Sequence, residues 1–351
     1  MSAICRHFGV CGGCTYQDMP DADYQTLKRN LVVEALARHG FADAVVDEPL
    51  EVAPATRRRA VFKVAKKNGV TLIGFHAAKS HAIVDMLECR VMTPALTALV
   101  PRLREAMSSL LRENEDADLH VTDSDDGFDV ALKWPRARKL QGEIARMAEK
   151  LHLARVTAGN ETIVELAKPS IAFGAVRVAL PPGSFLQPTR EGEAALQARV
   201  VSALKGAKNI ADLFAGCGTF TLPLAAHAKV HAVDSDGPAL DALAAAARAT
   251  QGLKPVTTEK RDLFKRPLFS VELTRFDAVV LDPPRAGAAA QASQLAASKV
   301  ARIAYVSCNE GSFARDARVL VDSGYRLGPV LPVDQFLWSS HIEQVASFTK
   351  A

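Results

Sequence analysis

Between Asn209 and Asp322, strand-like and helix-like runs alternate in regular order, and this alternation constrains the chain more than any other feature. Strand Asn209–Phe214 leads through a glycine-bearing turn into a helix over Thr219–His227. Strand Val230–Asp234 precedes an alanine-rich helix over Pro238–Gln251. Strand Asp277–Asp282 precedes a helix near Ala288–Ser298, and strand Arg302–Ser307 a helix over Ser312–Asp322. Such repeated units predict a mostly parallel sheet with helices on both faces. The first half is less regular. It reads as a helix over Asp23–His39 stopped by Gly40, strands at Ala60–Val64 and Thr71–Phe75, and a helix from Pro94 to Arg112. Strands at Asp118–Thr122 and Asp129–Trp134 and a helix near Gln141–Leu151 follow. The expected fold is therefore α/β, and 351 residues suit about two domains. Residues 1–180 read as an α+β domain and 181–351 as a Rossmann-like domain, with the helix near 23–39 docking on the latter.

In an open parallel sheet, ligands bind at the carboxyl ends of the strands. At the first such end lies Asp212-Leu213-Phe214-Ala215-Gly216-Cys217-Gly218-Thr219, where Gly216 and Gly218 let the backbone approach a ligand. The third glycine of a dinucleotide fingerprint is missing, which disfavours NAD. Asp234 ends the second strand, a position suited to accepting from both hydroxyls of a ribose. Asp262 offers an acceptor to an adenine amino group, or is a plain surface carboxylate. Asp282-Pro283-Pro284-Arg285 and Ser307-Cys308-Asn309 end two further strands, so Cys308 also projects at the ligand edge. Cys217 reads as a small packing residue. Sheet-end motifs in this order point to a methyltransferase that uses S-adenosyl-L-methionine (SAM).

Six cysteines are present, and Cys5, Cys11 and Cys14 fall within ten residues. No charged start is backed by an apolar core, and no run of about 18 apolar residues occurs, so neither a secretory signal nor a spanning helix is expected. In a cytoplasmic protein such clustering indicates metal or redox chemistry rather than disulfides. With Cys89 as a fourth ligand, both zinc and a [4Fe–4S] cluster accept the set, and unliganded thiols are the third reading. The net charge of +4 permits a polyanionic partner without demanding one. Arg57, Arg58, Arg59, Lys63, Lys66 and Lys67 place six cations in eleven residues, a phosphate-binding face or simply a solvated one. Lys133 to Lys139 surround Trp134, which either stacks on a base or sits in a core.

The cysteine set, Phe185-Leu186-Gln187, the glycine turn, Asp282-Pro283-Pro284-Arg285, Ser307-Cys308-Asn309 and His341-Ile342-Glu343 occur together. In this combination the chain resembles the bacterial RNA 5-methyluridine methyltransferases from Cys5 to about Phe348. The resemblance implies SAM as cofactor, Cys308 as nucleophile and Glu343 as base. It places Gln187, Phe214, Thr219, Asp234 and Asp282 at SAM, and it favours iron over zinc at Cys5, Cys11, Cys14 and Cys89. Thr219 stands where the family commonly has Asn, Asp234 where Glu is usual, and Pro188-Thr189 where another pair is frequent. A cluster without the TRAM domain that precedes it in some members leans toward ribosomal RNA, 23S above all, rather than tRNA. The expected protein is a cytoplasmic monomer that binds RNA and no membrane. Competing readings are the same chemistry on tRNA, amino-group methylation, and a catalytically silent iron–sulfur RNA-binding module.

Overall fold

The computed structural model describes residues 4–159 and 161–350. Helix α1 (Asp21–Arg38) is followed by β1 (Leu50–Glu51), β2 (Arg59–Lys67), β3 (Val70–His76), β4 (Ile83–Asp85) and α2 (Pro94–Leu110). Then come β5 (Asp116–Ser124), β6 (Gly127–Lys133), α3 (Gln141–Leu151), β7 (Leu153–Ala158) and β8 (Glu161–Glu165). A hairpin of β9 (Ser170–Phe173) and β10 (Val176–Ala179) leads to α4 (Arg190–Ala203). The alternating half comprises β11 (Asn209–Leu213), α5 (Thr221–Ala225), β12 (Lys229–Asp234), α6 (Gly237–Ala249) and β13 (Val256–Lys260). It continues through α7 (Ser270–Leu273), β14 (Ala278–Leu281), α8 (Ala289–Ala296), β15 (Arg302–Ser307) and α9 (Glu310–Asp322). The chain closes with β16 (Arg326–Leu327), β17 (Leu331–Asp334) and β18 (Glu343–Thr349).

The first sheet runs β4-β3-β2-β5-β6-β7-β8. Along β2, Ala60, Phe62 and Val64 alternate inward, and they meet Leu96, Leu99 and Leu103 of α2 and Ile144 of α3 in one core. The second sheet runs β1-β17-β18-β15-β14-β11-β12-β13, with β16 also paired to β18. Strands β13, β12, β11, β14 and β15 are parallel, and β18 lies antiparallel to β15. Alternate residues of these strands feed two cores: Leu213, Leu281 and Tyr305 on one face, and Ile210, Val280 and Val306 on the other. Burial on both faces explains the unbroken apolar runs of the central strands β14 and β15.

Strands β11, β12, β14 and β15 fall where the sequence predicts, whereas β13, mostly polar, is not expected from it. The helix expected over Thr219–His227 is shorter, Thr221–Ala225, because the turn holding Gly218 at φ +98° delays its start. Among the elements not anticipated are α4, β13 and the β9–β10 hairpin, and two more show why. Strand β7 is buried at every position, so no alternation marks it. The regular alternation ends at Asp322, yet β18 returns and inserts beside β15, pairing Gln344 with Ser307.

Helix α1 packs against α9 and β17 of the second sheet. Its Lys28 ammonium sits 2.8 Å from Asp334 Oδ1, each side chain 1% exposed, and also donates to the His341 carbonyl at 2.5 Å. The Tyr24 hydroxyl donates to the other oxygen of Asp334. Strand β1 pairs with β17 beside them, Glu51 opposite Asp334. Among the described residues no helix is long and apolar enough to cross a membrane. Lys28→Ala should lower stability by about 3–5 kcal/mol in urea unfolding, because it strands a buried carboxylate. A loss below about 1 kcal/mol would show the pair to be incidental.

Candidate active site

A cavity of about 520 Å³ opens at the carboxyl ends of β11, β12, β14 and β15. On one side β11 exits into Phe214, a non-glycine residue at φ +65°. The Gly216 N–H donates to Asp234 Oδ2 at 2.8 Å and the Asp236 N–H to Asp234 Oδ1 at 2.8 Å. Asp234 therefore braces the glycine turn while its remaining lone pairs face the cavity. The rings of Phe214 and Phe264 stand 5.5 Å apart, and Asp262 borders them. The paired rings make one aromatic wall beside two carboxylates, an edge suited to a nucleoside.

Two of the residues expected at the cofactor lie off this wall. Gly218 is a packing glycine: a Cβ there would meet Leu243 Cδ1 at 2.5 Å. Thr219 is not on the cavity wall, and its carbonyl accepts from Gln197 Nε2 of α4 at 3.0 Å. Gln187, Phe214, Gly216, Asp234, Asp262 and Asp282 do line the cavity.

On the other side, Asp282 follows β14, Cys308 follows β15, and Glu343 opens β18, so strand insertion brings the three side chains to one place. Burial and then the charges of Glu343 and Asp282 push the Cys308 thiol up to about 11, with Arg285 pulling the other way. Burial pushes Glu343 up to about 8, opposed by a hydrogen bond from Gln335. Asp282 is also raised, by burial first and by Glu343 second. Two acids and a thiol facing one another out of water resist ionising together. Gln335 Nε2 donates to Gln187 Oε1 at 2.7 Å and to Glu343 Oε2 at 3.1 Å, and Gln187 Nε2 points at Asp282 Oδ2 at 3.5 Å. Gln335 carries no motif signal, and sequence reasoning missed it.

The arginine run divides. Arg57 and Arg59 line the cavity, with the Arg59 guanidinium 4.4 Å from the centroid of the exposed Phe185 ring. Arg58, expected to meet phosphate, is 2% exposed and ion-paired to Glu193 at 2.7 Å, so it is structural. Lys63 is likewise not free: its cross-strand neighbour Asp118 takes its charge at 2.6 Å. Trp134 is a core residue whose Nε1 donates to Glu115 at 2.9 Å. Cys217 is buried, as a packing residue should be.

A second cavity, of about 390 Å³, is lined by Cys5, Cys11, Cys14 and Cys89. Arg57, Phe336 and His341 wall both cavities. Burial, followed by Cys89, Cys11 and Cys5, pushes the Cys14 thiol up to about 12. Gly12 is needed where the cysteine loop meets β3: a Cβ there would lie 3.1 Å from the His76 carbonyl. Among the described residues, no group of three or more His, Cys, Asp or Glu side chains is assembled as a metal site.

This architecture, with its slot at the sheet's carboxyl edge, is that of an α/β methyltransferase. The fold is similar to the tRNA (uracil-54, C5)-methyltransferase of Pyrococcus abyssi, solved in complex with S-adenosyl-L-homocysteine. The TM-score is 0.74 over 97% of this chain and 85% of that one, at 23% identity. An uncharacterized RNA methyltransferase of Rhizobium meliloti is 44% identical over 99% of this chain and 85% of its own length. The 23S rRNA (uracil(1939)-C(5))-methyltransferase of Aeromonas salmonicida is 30% identical over 99% of this chain and 82% of its own. The chain belongs to the tRNA (uracil-5-)-methyltransferase family, whose model matches residues 155–350. It is an RNA methyltransferase.

The two turn glycines should respond differently. Gly218→Ala forces a Cβ against Leu243 at φ +98° and should cost about 1–3 kcal/mol in denaturant unfolding. Gly216→Ala meets no atom within 4 Å and should cost less. Equal losses would remove the packing assignment.

Proposed function

We propose that this protein methylates uridine at C5 in RNA, with 23S ribosomal RNA as substrate, through a covalent bond between Cys308 and C6 of the base. The observation that carries the reading is the convergence of Cys308, Glu343 and Asp282 beside a nucleoside-sized slot. The Aeromonas relative supports the choice of 23S over tRNA, and family membership supports uracil C5 as the atom.

Uracil C5 is weakly nucleophilic. Cys308 loses its proton to solvent, with Arg285 favouring the thiolate, and adds to C6. The displaced electron pair passes to O4 as an enolate, which makes C5 nucleophilic. SAM, which Gln187, Phe214, Asp234, Asp262 and Asp282 would hold, would supply the methyl group to C5, its sulfur–methyl bond breaking as S-adenosyl-L-homocysteine leaves. C5 then carries both its proton and the methyl. Glu343, as carboxylate, takes that proton; the C6–S bond breaks, Cys308 leaves as thiolate, and the C5–C6 double bond returns. Asp282 and Gln187, placed at SAM by the resemblance, also border the base. Arg57 and Arg59 meet the RNA backbone at the mouth of the site. The uridine must be unstacked, since neighbouring bases would cover the face that Cys308 attacks.

We further propose that Cys5, Cys11, Cys14 and Cys89 hold a [4Fe–4S] cluster. Four soft sulfur donors line one cavity, a set that both zinc and a [4Fe–4S] cluster accept, and the family resemblance favours iron. The cluster would give the first residues a fixed shape beside the RNA. Residues 1–180 then serve as the cluster and RNA-binding domain, and 181–351 as the methyltransferase domain.

Methyl-labelled SAM incubated with 23S rRNA or tRNA transcripts, followed by nucleoside digestion, tests this. Label in 5-methyluridine from rRNA is expected, abolished by Cys308→Ala. Label from tRNA alone would overturn the substrate; label insensitive to Cys308 would overturn the chemistry. Glu343→Gln should stall as a covalent protein–RNA adduct on a denaturing gel. Because the base works ionised, breakdown of the wild-type methylated adduct should accelerate as pH rises through about 8 and slow below it. A flat profile would count against Glu343.

A further inference from the structure

We propose that Gln335 is a positioning residue for this reaction: its buried amide holds Glu343, and through Gln187 also Asp282, in the arrangement that proton removal from C5 requires. The inference rests on the reading of Glu343 as the base. Gln335 follows β17 directly and its side chain is fully buried. Both of its N–H groups are committed, one to Gln187 Oε1 at 2.7 Å and one to Glu343 Oε2 at 3.1 Å. Turned over, the amide would set its oxygen against Gln187 Oε1 and the ionised Glu343, so the working carboxylate selects the orientation seen.

The opposite atom is equally informative. Gln335 Oε1 has no hydrogen-bond partner among the described residues. It faces α4, where a Cβ on Gly192 would come within 2.6 Å of Oε1 and 2.9 Å of Gln335 Cβ. A glycine in the first turn of α4 thus makes the room that Gln335 occupies. An unpaired buried oxygen is a cost to stability, and the chain carries it at the amide that serves both ends of the acid pair.

The consequence for Glu343 follows from its surroundings. Burial disfavours its charge, and once charged it raises Asp282 at the end of β14 and Cys308 at the end of β15, while Arg285 lies at the same cavity wall. The Arg58–Glu193 pair, internally neutral, holds the far side of Gln187, with Arg58 Nε donating to the Gln187 carbonyl at 3.0 Å. Against burial, the Gln335 N–H favours the carboxylate. It also ties down Oε2, leaving Oε1 of Glu343 for the C5 proton. Gln187, anchored by the same amide, keeps its own NH₂ turned to Asp282.

Gln335→Met removes both donors at similar volume. With 23S rRNA transcript and labelled SAM, it should accumulate methylated covalent adduct at pH 7, its breakdown slowed about tenfold and the pH profile of breakdown displaced upward by about one unit. The KM for RNA and SAM affinity by equilibrium dialysis should change less than adduct breakdown does, since Gln335 reaches either ligand only through Gln187. Gly192→Ala touches no reacting group, yet it should shift the profile in the same direction by displacing Gln335. A wild-type pH profile and no adduct in Gln335→Met would overturn the inference. If that variant does not fold, Gly192→Ala decides by the same two readouts. Should Glu343→Gln itself form no adduct, the reading of Glu343 falls; a stalled Glu343→Gln beside an unaltered Gln335→Met removes Gln335 alone.

Discussion

Asp334 is a carboxylate taken out of water, and the groups that answer it organise much of the molecule. Lys28 and Tyr24 reach it from α1, and the segment that follows it, residues 335–342, is fixed by the same cluster. The Trp338 N–H donates to the Tyr24 hydroxyl at 2.7 Å, and the Trp338 carbonyl accepts from the N–H groups of Thr15 and Tyr16 at 2.7 and 3.1 Å. One short connection thereby joins α1, the cysteine loop and the start of β18. Along it lie Gln335, Phe336, His341 and then Glu343. Removing either charge of a buried pair leaves the other uncompensated, which is why so many elements can depend on one contact.

The active-site cavity is built on the same principle turned to chemistry. Asp282, Glu343 and Cys308 are held close in a place where burial favours their neutral forms. Hydrogen bonds from Gln335 and Gln187, together with the Arg285 cation, set limits on that tendency. A base with a value near neutral takes a proton and gives it back more readily than a surface carboxylate would. The shared wall of Arg57, Phe336 and His341 places the four cysteines directly behind this site. Whatever fills the cysteine cavity therefore bears on the shape of the substrate pocket through packed side chains.

The Arg57-Arg58-Arg59 run illustrates how far composition carries. Three adjacent cations look alike in a sequence, and a phosphate-binding face is a fair expectation for them. Where the chain enters β2, successive side chains take opposite directions. Arg57 and Arg59 therefore reach the cavity, and Arg58 points into the protein and finds Glu193. Lys63 is lost to the same expectation because register sets Asp118 opposite it. Gly218 and Thr219 sit in the correct motif but serve its packing, since a tight turn offers its ligand only some of its atoms.

By itself the sequence determined the strand order's local pieces, the glycine turn, the acids at the strand ends, the Cys308 position and the cysteine cluster. Those features are local, and periodicity or spacing reports them directly. Family resemblance added Gln187 and Glu343, which no local rule would have singled out. Tertiary structure alone decided which of two neighbouring side chains faces the cavity, that β18 inserts beside β15, and that Gln335 bridges Gln187 and Glu343. Glu343 and Cys308 meet only through that inserted strand, and Lys28 meets Asp334 across 306 residues. Contacts between distant segments depend on how whole elements pack, and no window of sequence contains both partners.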